Sequence, residues 1–540
     1  MGTPEFKGAE ILDGACLGAS WSYLSANPPT MKHFLKWAAI VIGSLILLLI
    51  VIAGLFIGWL RWSGEREWKQ AEAELRAKGE KLTFAELVPP MPPDSENFFA
   101  DPLWAGYSDL VRTNSRGCDG APHQVLDLKI PADQQSMRLW QRVPLTAQES
   151  DQLARLKIVK ANDRISAYRE LKCLIPYEKN SDRKKEEAVA MLQLLAPANE
   201  TLSRIAELAR RPQAQFPLRY NLIATEGLIP ELLAETTENL VLSQLFMNRA
   251  TSELLLGKNA AAAADAETLL RLSFIQQSEP LLISLLVRVS TTALALEVLD
   301  QGLVDHVWTA DQLALYQGLL EKIDLPKDLL FVLRGERIYA RESLKALHPP
   351  QQGFFASLGV QATRLLLEKN AAYHALLMQG ALESMENSLL ESGWNRSSAQ
   401  VFKEEQAALA HRPLHRMMYI MVSLAVPALD GAIEKTVECQ TQVEQSLIAC
   451  ALERYSLAHG SYPAAPDALV PEFLAKLPNS PITGKPMNYS LKPDGTYLLW
   501  TPGWNLNSLG GKSGKFLGEG DIVWNQPLPK LTKEKSTATE

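Results

Sequence analysis

The stretch Pro280–Asp300, PLLISLLVRVSTTALALEVLD, indicates most clearly which kind of fold the chain adopts. Its apolar residues recur at intervals of three and four, which places them on one face of an α-helix. Arg288 falls outside this apolar stripe and Glu297 lies at its edge, while Pro280 suits the first turn of a helix. The stretch therefore predicts an amphipathic helix packed on neighbours. The stripe consists of Leu282, Leu285, Leu286, Val289, Ala293 and Leu296.

Helical periodicity continues on both sides of this stretch. Glu231–Leu256 and Ala260–Leu272 predict two helices joined by a short turn, and this pair resembles a tetratricopeptide-type hairpin in its spacing and small residues. No strict period of about 34 residues recurs, so a repeat array is not supported. Phe355 to about Leu390 predicts another long helix, and a further helix extends to His411. Residues 147–412 are therefore assigned to an irregular, partly tetratricopeptide-like helical domain.

A second long apolar stretch, Trp37–Leu60, contains no charged residue. At about 1.5 Å per residue it extends roughly 36 Å, enough to cross a hydrocarbon layer of about 30 Å. A cleavable signal peptide is the alternative, but its apolar core is usually shorter and ends in small residues. We therefore predict a retained single-pass transmembrane helix whose partner is the lipid bilayer. Basic residues flank both ends, so the flanking charge leaves the orientation open.

The remaining N-terminal and linking segments are less regular. Residues 1–30 lack periodicity and precede the basic start MKHFLKW at Met31, so we interpret them as a cloning fusion or a misassigned start. Residues 61–93 are assigned to a solvated juxtamembrane helix, Glu65–Leu87, followed by a stiff proline-rich spacer. Residues 94–146 predict loops with short helices, and residues 526–540 a disordered tail.

Bulk properties exclude some functions. With 540 residues the chain has room for two or three domains. A nucleic-acid partner is normally indicated by a basic patch or a basic pI, whereas this chain has a mild negative net charge of −7. The five cysteines lack the CxxC spacing of a zinc site. Cys439 and Cys450 lie on one predicted helix with a rise of about 16 Å between them, which is too far for a disulfide.

The C-terminal region predicts a helix packed on a small sheet. An apolar helix face ends at His459-Gly460, where glycine can provide a left-handed cap. Met487–Leu491 and Thr496–Thr501 flank Pro493-Asp494-Gly495, a sequence typical of a tight turn, and Asp521–Trp524 can add a third strand. The overall prediction is thus a mainly α fold with one transmembrane helix and a small C-terminal α+β module.

Three pieces of that module carry a family resemblance: ALERYSLAHGSYP (Ala451–Pro463), DALVPEFLAKLP (Asp467–Pro478) and SPITGKPMNYSL (Ser480–Leu491). Residues 417–525 resemble the type II secretion major pseudopilin, as found appended to uncharacterised membrane proteins of planctomycete and verrucomicrobial type. The resemblance implies a bacterial inner-membrane protein with the bulk of the chain in the periplasm, and partners among envelope or secretion proteins.

Two family features are missing or reduced. Neither the anchor nor the start of the module supplies a prepilin-peptidase site. Those pseudopilins also bind calcium in an aspartate-rich loop, whereas this chain has Asn505 and Asn507 at the corresponding positions and keeps only Glu519 and Asp521. Because calcium prefers several charged oxygen ligands, two carboxylates predict weak calcium binding or none. No other cofactor is expected.

Four short patterns suggest chemistry but have simpler explanations. Ser181–Lys184 matches SxxK without its partner motifs, so a helix N-cap is the better interpretation. His411 and His415 have metal-pair spacing, but a proline separates them and no acidic ligand accompanies them. Gly510–Lys515 lacks phosphate-loop spacing. The carboxylates of Glu383, Glu386 and Glu391 lack the histidines of a metal-binding bundle, which favours a solvated helix face.

The sequence contains no GxSxG, HExxH or GxGxxG motif, so it leaves the question of catalysis open while favouring none. We therefore expect a membrane-anchored, non-catalytic envelope protein that serves protein–protein contacts or assembly, with a link to a secretion or pseudopilus-like system implied by the resemblance. The alternative is a membrane-anchored hydrolase whose catalytic residues are brought together by the fold.

Overall fold

The computed structural model describes residues 28–107, 111–116, 122–127, 143–156, 163–172, 182–226, 230–345, 366–391, 404, 407, 419–513 and 520–525. These residues form a mainly helical protein with a small antiparallel sheet near the C-terminal end, as predicted. The chain divides into two compact units between Ser63 and Gly64. The predicted fusion, apart from its last three residues, and the predicted tail lie outside the described residues.

Helix α1 (Pro28–Ala77) contains the predicted transmembrane segment. Its first part exposes large apolar side chains without interruption, and Leu55 is 71% exposed. The helix is long and apolar enough to span a membrane, so the predicted apolar N-terminal helix is confirmed. A second helix, Leu282–Val304, also has the length and composition of a span. About half of that helix is buried inside the protein, which identifies it as a core helix.

From Gly64 onward, α1 packs against the protein instead of being solvated. The prediction of a single solvated helix over Glu65–Leu87 is therefore wrong in two respects. The segment is packed, and it is not one helix, because α1 ends at Ala77 and a separate short helix, α2, covers Phe84–Leu87. The last part of α1 is rich in charged residues, but it also carries a stripe of buried side chains. Alanines on the facing helix allow the two backbones to approach closely. The contact consists of Trp68, Ala71 and Leu75 on one side and Ala371, Ala372 and Ala375 on the other.

Buried ion pairs fasten the segment that follows α1. The Glu80 carboxylate accepts a hydrogen bond of 2.7 Å from Arg337, whose side chain is 1% exposed, and one of 3.2 Å from Nε of Arg334. These arginines hold the pKa of Glu80 below its usual value, although burial opposes the shift. Nearby, Glu67 pairs with Lys369. We call the set of contacts around Glu80 the juxtamembrane clasp.

A body of helices follows α2, after two short 3-10 segments at Phe98–Ala100 and Pro102–Tyr107. Its helices are α3 (Ala147–Arg155), α4 (Arg164–Lys172), α5 (Asp182–Leu195), α6 (Asn199–Leu208), α7 (Ile223–Glu226), α8 (Pro230–Leu255), α9 (Asn259–Leu272), α10 (Leu282–Val304), α11 (Ala310–Leu320), α12 (Leu325–Lys345), α13 (Leu367–Glu391) and α14 (Ile420–His459). The two predicted hairpin helices are confirmed as α8 and α9, and Gly257 between them has a φ of 71°. Their tetratricopeptide likeness stays a prediction.

The central helix α10 buries part of the predicted stripe, with Leu285, Val289 and Leu296 in the core, and it also buries residues outside that stripe. Arg288, expected outside the apolar stripe, is 1% exposed, whereas Ala293 of the stripe is exposed. Burial of Arg288 is possible because its guanidinium pairs with Asp328 at 2.6 Å and donates to the Ser273 carbonyl at 2.8 Å. The apolar period correctly predicted the helix, but it could not predict that long-range partners would allow Arg288 to be buried as well.

Residues 94–146 contain strands that the sequence did not predict. Strand β1 (Val111–Arg116) pairs antiparallel with β2 (Pro122–Asp127), with Val111 opposite Asp127. A polar strand such as VRTNSR has no clear alternation of apolar residues, which explains why its periodicity gave no indication of it. The predicted short helices correspond to the two 3-10 segments.

The C-terminal elements agree with their prediction. Gly460 caps α14 with a φ of 79°, and strands β3 (Asn488–Leu491), β4 (Tyr497–Pro502) and β5 (Asp521–Val523) form an antiparallel sheet in the order β3-β4-β5. Gln445 on α14 donates to the Ile522 carbonyl at 2.9 Å, which fastens helix to sheet. Cys439 and Cys450 are free and buried. The apolar core is continuous from the helical body into this region.

Candidate functional site

The proline run is a fixed part of the body and not a free spacer. Asn97, 4% exposed, accepts a hydrogen bond from the Gln215 backbone N–H and donates to the Gln215 carbonyl, both at 2.9 Å. The Gln215 side chain in turn donates to the Pro89 carbonyl at 3.0 Å. These bonds hold Pro89 and Pro90 beside the extended segment that follows α6. Because proline fixes its own φ, the run forms a stiff wall.

Two cavities adjoin this wall, and both are lined by Pro89, Pro90 and Gln215. The first has a volume of about 540 Å³ and the second about 630 Å³. Volumes of this size are typical of sites for small ligands or peptide side chains. We call the first the cationic cavity, the second the apolar cavity, and the two together with their wall the groove.

Four basic side chains line the cationic cavity, and no described carboxylate does: Arg210, Arg211, Arg271 and Lys322. Arg210 and Arg271 share Glu267, at 3.5 Å and 2.9 Å, which lies behind the lining. Arg211 donates to the carbonyls of Asp94 and Asn97, at 3.0 Å and 2.6 Å, and these acceptors carry no full charge. Exposed Lys322 forms no ion pair with any described residue.

The polar groups behind this cavity do not cancel its charge. Gln277, which lines the cavity, donates to Asp328 at 3.2 Å, but the charge of Asp328 is already balanced by Arg288. Glu279 lies two residues further on and is 2% exposed. Burial raises the pKa of Glu279, because it disfavours the charged form of the carboxyl group. Four cations therefore face the cavity, and Glu267 is the one described carboxylate that pairs with any of them.

The apolar cavity offers a different chemistry. Phe84 and Tyr220 stack at its side with ring centroids 4.6 Å apart, and Val88, Met91, Phe216 and Ile338 contribute further apolar surface. Met91 remains 49% exposed. Glu342 is the one described carboxylate in this lining. An exposed methionine beside stacked aromatic rings is a surface that can adapt to an apolar side chain.

Neither cavity contains the geometry expected of a hydrolase. Ser278 in the cationic cavity donates its hydroxyl to the Ala214 carbonyl at 2.7 Å, and Thr83 in the apolar cavity serves as the N-cap of α2. No histidine is among the described residues that line either cavity. A nucleophile needs a base within hydrogen-bond distance, and these linings do not provide one.

The residues considered as weak calcium ligands have separate outcomes. Asp521 is 2% exposed, and its Oδ2 accepts hydrogen bonds from the N–H groups of Leu509 and Gly511 at 2.9 Å and 2.7 Å. This carboxylate therefore organises the loop before β5. Glu519 lies outside the described residues. Within the described part of the chain, no group of three or more potential ligands could hold a metal ion.

The other short patterns are also placed in part. Glu383 pairs with Lys78 at 2.8 Å and Glu386 with Arg334 at 2.5 Å, so these two carboxylates take part in ion pairs with other elements. Lys184 of the SxxK match pairs with Glu187 at 3.1 Å. Ser181, His411, His415 and the end of the glycine-rich loop lie outside the described residues, as does the Glu391 side chain.

Sequence reasoning missed the cationic cavity because its residues come from three separate places. Arg210 and Arg211 follow α6, Arg271 lies in the last turn of α9, and Lys322 follows α11. No local spacing connects them. Comparison of the chain with protein-family profiles, with curated proteins and with solved structures gave no match in any of the three. The pseudopilin resemblance therefore stays a prediction.

Proposed function

We propose that this chain is a single-pass, membrane-anchored, non-catalytic protein of a bacterial envelope, and that its body binds a partner protein through the groove. The groove carries the proposal, because it places a cationic and an apolar surface side by side on a rigid wall. Interfaces typically combine an apolar contact with charged groups that select the partner. A link to a secretion or pseudopilus-like system rests on the resemblance of residues 417–525.

The juxtamembrane clasp supports the same function. An anchored docking protein gains from a body in which the segment after the membrane helix is fixed, because less motion has to be lost when a partner binds. The buried Glu80–Arg337 pair and the Trp68 contact provide that fixation. A periplasmic position for the body follows from the resemblance and is the first point to test.

Topology is tested with reporters fused at the C-terminus in living bacteria. Alkaline phosphatase becomes active only outside the cytoplasm. Green fluorescent protein fluoresces in the cytoplasm and stays dark when it is exported in unfolded form. We expect active phosphatase and a dark fluorescent fusion. The reverse pattern would place the body in the cytoplasm and contradict the proposal.

Partner binding is tested by placing a photo-crosslinking amino acid at Lys322 in the cationic cavity or at Met91 in the apolar cavity. Lys492, exposed on the β3–β4 turn and outside both linings, is the matched control. We expect discrete protein adducts from the two groove positions and none from Lys492. Equal yields of crosslinked adducts at all three positions, or no adducts at the two groove positions, would contradict the docking proposal.

A further inference from the structure

We infer that the groove recognises an acidic segment of its partner, with carboxylates in the cationic cavity and an apolar side chain in the adjoining apolar cavity. This inference rests on the proposed docking function and names the chemistry of the partner. The groove was not assigned to any ligand by the sequence. Its cations become a set only in the folded chain.

Charge complementarity is the first argument. The cationic cavity has four basic lining residues and no described acidic one, and Glu267 behind it balances at most one of them. Guanidinium groups bind carboxylates in a planar, two-pronged geometry, and a partly enclosed site strengthens such pairs. Lys322 and about half of the Arg210 side chain remain accessible to solvent, so both can reach an incoming carboxylate.

The apolar cavity selects a polypeptide over a small anion. It shares Pro89, Pro90 and Gln215 with the cationic cavity, so a ligand that fills both must carry a charged group and an apolar group close together. Inorganic phosphate has only the first. Nucleic acid is disfavoured because its repeated phosphates would face a chain with a net charge of −7. A peptide with acidic and aromatic residues satisfies both cavities.

The rigid wall adds specificity. Gln215 is held by Asn97 and Pro89, so the spacing between the two cavities is set before a partner arrives. A ligand whose acidic and apolar residues match that spacing loses little freedom to the protein on binding, and one with the two groups far apart cannot occupy both cavities.

The test uses the full chain in nanodiscs of zwitterionic lipid and a short fluorescent peptide containing glutamates and phenylalanines. Reversing two cations in Arg210→Glu/Lys322→Glu is expected to weaken binding about tenfold, and Met91→Asp to weaken it by a similar factor. The matched control, Lys485→Glu/Lys492→Glu, carries the same charge change on exposed residues outside both cavities and should leave the Kd unchanged. Thermal unfolding confirms that each variant is folded.

Peptide variants separate the alternatives. Replacing the glutamates by glutamines should abolish binding to the wild-type protein, and replacing the phenylalanines by serines should weaken it only when Met91 is intact. Equal binding of the glutamine peptide, or displacement of the acidic peptide by pyrophosphate at an equal concentration, would overturn the inference. If groove-specific crosslinks persist while the acidic peptide fails to bind, this inference is wrong and the docking function stands.

Discussion

Removal of Glu80 should destabilise the body strongly, because it leaves a buried arginine without its charge partner. In Glu80→Ala, the Arg337 guanidinium keeps neutral acceptors, the Gln379 side chain at 2.8 Å and the Lys81 carbonyl at 3.1 Å. It loses the carboxylate at 2.7 Å while its side chain remains 1% exposed. Breaking a buried ion pair from one side typically costs about 3 to 5 kcal/mol. We expect about 3 kcal/mol, since the neutral acceptors remain.

The assay is denaturant unfolding of the full chain in detergent, followed by tryptophan fluorescence. Trp68, one of the twelve tryptophans, lies in the adjacent packed contact and contributes to the signal. Glu74→Ala is the control, because its pair with Lys78 at 3.2 Å is solvent-exposed and worth less than about 1 kcal/mol. A loss below about 1 kcal/mol in Glu80→Ala, or equal losses in the two variants, would refute the view that the clasp holds the juxtamembrane segment.

Two further predictions concern stability. Burial raises the pKa of Glu438 to about 7, so the stability that this carboxyl group contributes is complete below its unfolded pKa near 4.5 and is lost as the pH rises through 7. Relative to wild type, the free energy of unfolding of Glu438→Gln should therefore rise by about 2 to 3 kcal/mol between pH 5 and pH 8, whereas that of the exposed control Glu472→Gln should not change. Parallel pH profiles of Glu438→Gln and wild type in unfolding titrations would contradict the assignment. In Gly335→Ala the new Cβ would lie 1.7 Å from the Pro280 carbonyl oxygen, so we expect a loss of about 1 to 3 kcal/mol by thermal unfolding, while Gly318→Ala, whose Cβ meets nothing within 4 Å, should be neutral or stabilising; a stable Gly335→Ala variant would show that α12 and the α9–α10 loop are not in close contact.

The elements that sequence predicted well are those whose information is local. The α8–α9 hairpin, the Gly460 cap and the β3–β4 turn each depend on residues within one or two turns of chain, so periodicity and turn chemistry locate them. The apolar character of the first part of α1 is equally local, because it requires no knowledge of neighbours.

Features that depend on distant partners were missed. The burial of Arg288 on α10 depends on its pair with Asp328, forty residues further along the chain. The juxtamembrane stripe depends on alanines of α13, and Asn97 meets Gln215 only in the folded body. The cationic cavity is the extreme case, because its charge arises only when three separate segments converge. No local pattern encodes such a convergence.

The contact between the end of α1 and α13 also limits where the chain can be cut without damage to the body. Trp68, Leu75 and Glu80 belong to the packed interior of the body, although they precede the proline run in the chain. Proteolysis at that run would therefore strip the released fragment of side chains that its fold requires. Such a fragment would lose stability. A cut that leaves the body intact would therefore have to fall before Trp68, where the packed contact of α1 begins.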